Sequence, residues 1–350
     1  MHHRSRGVGG VLSVLVAVGC TLASPVAGQG PSAAAGASQP AEQPYRAPRT
    51  PDGQPDLQGF WSNQTYTPLE RRDGVTSAFY TEEEVAAIEG RAATRESAQT
   101  EPGTIPDVHY DFTQFGLDRS QSALARNLRT SLIVDPPNGK LPPVNAEGRR
   151  RAVDVAIERE RIGGRWDAAE NNQLDDRCII MAGAGPPMLN SGYNSNYQIV
   201  QAPGHVMILT EMIHDARVIP LHPPAVDGDD LPPDRVRQWV GMSRGHWEGE
   251  TLVVETSNFN GKNPLRGSSG QMRVTERFTR VADDTIMYSF MVADEATWES
   301  PWTAEMPMQR TRGPLFEFAC HEGNYGLYNT LVGARLEERQ VAEEAAREAR

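Results

Sequence analysis

Three histidines and three glutamates stand where solubility alone does not explain them. In "VTERF" Val274, Glu276 and Phe278 fall on one face of a strand, because alternate residues share a face. Glu276 therefore points where apolar neighbours point. Glu255 in "TLVVETSNF" and Glu211 in "VMILTEMIH" repeat the pattern more loosely. A carboxylate in that position must be paired, metal-bound or protonated, since a bare buried charge costs several kcal/mol. His214, His246 and His321 lie at or near strand ends. Imidazole with carboxylate suits zinc, manganese or iron(II), so His214, His246, His321 and Glu211 are candidate ligands of a divalent transition metal. Without metal, His246 and His321 with Glu276 and Glu255 make an acid–base set, and Arg277 or Arg217 stabilises an anion. The plain alternative is charge pairing, each glutamate neutralised across a rung by Arg217, Arg244, Arg273, Arg277 or Arg310. No H-E-x-x-H, no G-x-S-x-G elbow and no phosphate-cradling loop is present.

"FACHEGNYG" joins Cys320, His321, Asn324 and Tyr325 in one stretch. The chain has three cysteines, and loss of an N-terminal signal leaves Cys178 and Cys320. In an oxidising compartment such a pair reads as a disulfide, closing a loop worth ~4–5 kcal/mol in the chain-entropy model. That bridge would bring His321 beside Asp176 and Arg177, and an Asp–His pair fixes an imidazole in one tautomer. Trp247, Trp302 and Tyr325 are candidate walls of a ligand cavity. Tyr197 and Asn324 are polar-aromatic contacts near its mouth.

The elements that must hold these residues follow from punctuation and periodicity. Residues 1–28 read as a secretory signal: a basic start, a short apolar run and small residues. "AVGC" leaves lipidation at Cys20 as the alternative. Residues 29–50 are a Pro/Ala/Gly-rich disordered tether, 51–335 a single domain, and 336–350 a solvated charged tail. No segment is long and apolar enough to span a bilayer, so the chain is expected in the periplasm or outside the cell. The net charge of −12 argues against nucleic acid and anionic membrane as partners and leaves a small-molecule ligand or substrate. Within 55–175, Thr81 and Glu84 form a capping box, "SLIVDPPNGK" is a short strand and turn, and "NAEGRRRAVDVAIERERIG" is a helix. From 196 to 330 run seven or eight antiparallel strands joined mostly by short turns, the last pair within "WTAEMPMQRTRGPLFEFACHEG". The expected fold is mainly β with some α: a meander closing into a calycin/lipocalin-like barrel, wrapped by an N-terminal helical and irregular layer. Gly59-Phe60-Trp61 and Gly245-His246-Trp247 both match the G-x-W element of calycin-type barrels.

"PDGQPDLQGFWSNQTYTPLER", "RTSLIVDPPNGKLPPV", "EMIHDARVIPL", "GHWEGETLVVETSNFNG" and "ACHEGNYG" together resemble a family of secreted bacterial proteins of acidobacterial type. The resemblance spans nearly all of the mature chain and implies one co-extensive unit. It supplies no reaction, so function rests on the residues. Three functions are weighed from them. The first is a secreted hydrolase or lyase acting on a sugar or phenolic derivative through a His/Glu site. The second is a non-catalytic small-molecule-binding barrel of the cell envelope. An envelope structural or interaction protein, with the Glu/Arg set as a plain ladder, is the third.

Overall fold

Strand β1 (Gly59–Ser62) comes from the segment expected to wrap the barrel, yet it is a stave of it. The computed structural model describes residues 45–96, 124, 126–164, 166–181, 185–190, 194–222 and 236–350. The signal, Cys20 and the tether up to Pro44 lie outside the described residues. The staves that follow are β3 (Asn196–Ala202), β4 (His205–Thr210), β5 (Ala216–Pro220), β6 (Met242–Glu248), β7 (Thr251–Ser257), β8 (Arg273–Ala282), β9 (Thr285–Ala293) and β10 (Trp302–Arg310). They are ordered β5-β4-β3-β1-β10-β9-β8-β7-β6, every neighbouring pair antiparallel. A short β2 (Ile133–Asp135) pairs with β10 off this path.

The two ends of the sheet meet. Leu221, just after β5, bridges Gly245 of β6 in parallel, and the His222 amide donates to the Gly245 carbonyl at 2.9 Å. The result is a nearly closed, lipocalin-like barrel. Gly245 is required at this seam, since a Cβ there would lie 2.9 Å from Leu221 Cδ2 and 3.1 Å from Ile219 Cγ2. In the other G-x-W element, Trp61 is fully buried and its indole N–H donates to the Leu57 carbonyl at 2.9 Å. The guanidinium of Arg310 stacks 4.7 Å from its ring and that of Arg280 lies 5.9 Å away.

Period-2 alternation fills the lumen. Val274, Glu276, Phe278 and Arg280 of β8 point inward, as do Ile286, Tyr288, Phe290 and Val292 of β9 and Trp302, Ala304, Met306 and Met308 of β10. Aromatic rings run in contact along this wall. Phe278–Tyr288 centroids are 4.9 Å apart, Tyr288–Phe290 and Phe290–Trp302 5.6 Å, and Trp302–Trp298 5.8 Å. Each such pair contributes ~0.5–1.5 kcal/mol beyond its buried area.

Three α-helices are found among the described residues. Helix α1 (Glu82–Glu96) opens with the expected capping box: Glu84 N donates to Thr81 Oγ1 at 3.2 Å, and Thr81 N to Glu84 Oε2 at 2.8 Å. Helix α2 (Ala146–Arg161) is capped by Asn145, whose Oδ1 accepts from Gly148 N at 2.9 Å, and Arg151 in its second turn donates to Ala296 O and Gly267 O at 2.9 Å each. Helix α3 (Tyr325–Glu348) takes in the predicted charged tail, which is exposed. No described helix is long and apolar enough to cross a membrane.

The expected final strand after β10 does not form: residues 311–324 are irregular. Thr311 N donates to Phe60 O at 2.9 Å, and Gly313 packs so tightly on the Phe60 ring that a Cβ would fall 2.2 Å from it. This return strap leads to the Cys178–Cys320 disulfide.

Candidate functional site

Glu276 is fully buried, and it is neutralised. Arg217 Nη1 donates to Glu276 Oε2 at 2.5 Å and Nη2 to Oε1 at 3.1 Å, a forked pair. The Tyr288 hydroxyl donates to Oε1 at 2.7 Å and itself accepts from Met188 N at 2.9 Å. Burial holds the phenol of Tyr288 far above its usual range, with the neighbouring Glu276 charge adding to the effect. Tyr197 is shifted the same way by burial. The pairing reading is thus correct for Glu276, with one difference. Arg217 belongs to β5 and Glu276 to β8, so the bridge crosses the lumen instead of linking adjacent strands.

The other predicted residues are dispersed. His246, Glu255 and Arg277 share the outer face of β6–β8, where His246 opposes Val253, Val253 opposes Arg277, and Glu255 opposes Arg244 and Thr275. Glu255 is exposed. His246 Nε2 lies 3.1 Å from Glu248 Oε1, and Arg277 Nη2 bonds the other oxygen of the same carboxylate. These two contacts, His246 first, hold the Glu248 carboxyl below its usual range. Glu248 was not singled out from the sequence. Its place two residues from His246 on one strand was the available signal.

His321 is exposed and follows the strap, next to the disulfide. Among the described residues no hydrogen bond or ion pair joins His321 to His246 or to Asp176. Asn324 takes the role expected of a site residue and uses it structurally. Its Oδ1 caps α3 by accepting from Leu327 N at 3.4 Å, while Nδ2 donates to Asp176 O at 2.8 Å. Tyr325 is 72% exposed on α3, Trp302 is fully buried, and Trp247 is partly buried against the core, so the three do not line one cavity.

Glu211 lies at the opposite end of the strands from the β6–β7 turn that follows His246, and it is 5% exposed. Asn196 Nδ2 donates to its Oε2 at 2.6 Å and the Phe316 amide of the strap also donates to the carboxyl. Burial pushes this carboxyl above its usual range, against both hydrogen bonds. His214 is exposed three residues on, in a 3-10 turn where Ile213 (φ 63°) and His214 (φ 45°) are both left-handed. The proposed four-residue metal set is therefore spread over three places. Among the described residues no group of three or more His, Cys, Asp or Glu side chains could hold a metal ion.

Two concave regions lie away from these residues. A cavity of about 30 Å³ sits between the 65–68 segment and α1, and an open polar depression of about 760 Å³ at the C-terminal end of α2. The first holds a water or two; the second is a shallow surface lined by Arg159, Glu160, Asn171 and Gln173. No protein-family model and no curated protein matches the chain.

Proposed function

We propose that this is a non-catalytic protein of the periplasm or cell exterior. Its barrel is a filled structural core, and its binding is done by the outer surface. The observation that carries this reading is the occupied lumen: Glu276 with Arg217 and Tyr288 at the centre of a continuous aromatic stack. A disulfide and the lack of a described membrane-crossing helix fit that location. A ligand cup needs several hundred Å³ of enclosed space, whereas the inward side chains of β8–β10 are buried and their rings touch one another. The test is a screen of hydroxylated, phenolic and fatty ligands by intrinsic tryptophan fluorescence. A filled barrel predicts no ligand whose binding depends on Tyr288. A ligand that shifts the emission of wild type and not of Tyr288→Phe would overturn the reading.

The His246–Glu248 pair favours a second reading, acid–base hydrolysis or elimination on a sugar or phenolic derivative at the outer face of β6. Turnover of glycoside or phenolic ester substrates, abolished in His246→Ala and in Glu248→Gln, would establish it.

A further inference from the structure

Arg71 is largely buried, at 9% relative exposure, and has no counter-ion among the described residues. Among them its one side-chain hydrogen bond is from Nε to Thr130 Oγ1 at 3.0 Å. Among the described residues no carboxylate lies within ion-pair distance of it. The other buried arginines differ. Arg217 is forked onto Glu276, and Arg280 donates to the carbonyls of Asp56, Ala282 and Asp283. The acids nearest Arg71 in sequence are engaged elsewhere: Glu70 Oε1 accepts from Leu141 N at 3.0 Å, and Asp73 pairs with Lys140 at 2.8 Å.

The surroundings are built to hold the guanidinium where it is. Arg71 N donates to Gly139 O at 2.7 Å, and Gly139 is left-handed (φ 70°) in the Pro-Pro-Asn-Gly turn after β2. A Cβ at Gly139 would sit 2.4 Å from Ser131 Oγ and 3.1 Å from Arg71 Cζ. Any other residue there would displace both. Thr130, fully buried, is saturated by accepting from Arg71 and donating to Ser77 O at 2.7 Å. The Nη groups are thus left as a fixed fork of donors. Neither Nη is a buried atom without a partner, so the fork opens to solvent, where an anion can reach donors already fixed in place.

We propose that Arg71 and the Gly139 turn form a binding site for an oxyanion group, a carboxylate, sulfate or phosphate gripped by the Nη fork. Planar guanidinium matches such groups two bonds at a time, which a lysine cannot do. The overall charge of −12 repels polyanions at long range. It acts weakly on one small anion seated at a partly desolvated fork within a Debye length of about 8 Å.

Isothermal titration of the mature protein with inorganic phosphate, sulfate and acetate, at constant ionic strength in chloride, tests the site. Saturable one-to-one binding is expected in wild type and in Arg72→Ala. It should weaken about tenfold or more in Arg71→Met and in Gly139→Ala. The preferred anion separates a carboxylate site from a phosphate or sulfate site. No saturable binding in wild type, or equal affinity in Arg71→Met, overturns the proposal. If Arg71→Met does not fold, Arg71→Lys decides: unchanged affinity would show that the fork is not the receptor.

Discussion

The bridge between Arg217 and Glu276 permits a quantitative test of what holds the lumen together. Arg217→Met removes the fork and leaves the Glu276 carboxylate with the Tyr288 hydroxyl alone, in a site of zero exposure. Breaking one partner of a buried pair costs about 3–5 kcal/mol, because the survivor is an uncompensated charge. At roughly 2–4 °C per kcal/mol for a domain of this size class, the melting temperature should fall by on the order of 10 °C. Arg217→Met combined with Glu276→Leu should recover most of the loss, since a matched apolar pair of similar volume is often neutral or better. Calorimetry of the two single variants and the double variant measures all of this. A cost under about 1 kcal/mol for Arg217→Met, or a double variant no better than the worse single, would refute the pairing argument.

Other consequences are as direct. Reducing the Cys178–Cys320 bond, which closes a loop of 142 residues, should cost ~4–5 kcal/mol in the chain-entropy model and expose the 311–324 strap to limited proteolysis. An uncut strap after reduction would show that Glu211 and Phe60 hold it unaided. The Glu211 carboxyl is raised in the folded state, so its contribution to stability is fully present below the unfolded carboxyl value of about 4.3 and is lost as pH rises through the higher folded value. Glu211→Gln should therefore gain on wild type in urea unfolding at neutral pH, the difference vanishing in acid. Arg280→Met should destabilise by about 2–3 kcal/mol because three carbonyls lose a charged donor, whereas Arg310→Met, exposed over the same Trp61 ring, should cost only about 0.5–1 kcal/mol.

The residues spoke clearly where a local rule governs them. The hairpins from Asn196 to Arg310, the Thr81–Glu84 capping box, the inward face of Glu276 and the cysteine pair all follow from short-range pattern or from elimination. What was hidden depends on closure. Glu276 and Arg217 become partners only when β5 meets β6, and no spacing in the chain encodes a contact across a lumen. Strand β1 has four residues and no strong alternation, so its insertion between β3 and β10 could not be read. "LFEF" is strand-like in composition. It finds no edge to pair with, because β1 already occupies the one beside β10. The histidines looked like a set because each lay near a strand end; which end, and which face, is a property of the closed barrel.

The position of β1 also sets the order in which this chain can fold. Trp61 pairs with Arg310 on one side and Tyr197 on the other, so the first stave made is held by one of the last. During synthesis β1 can pair with β3 and the meander from β6 to β9 can form as they emerge, while the edge of β1 that faces β10 stays unpaired until β10 is complete. Such distant pairings are slow to form, and unpaired edges are where chains stick to one another. The cysteine bond arrives later still, since Cys320 follows β10. A chain cut short anywhere before residue 310 would carry an open seam beside its largest buried ring. Its hazard is association with its own kind, and its need is for a holding chaperone until the last strand arrives.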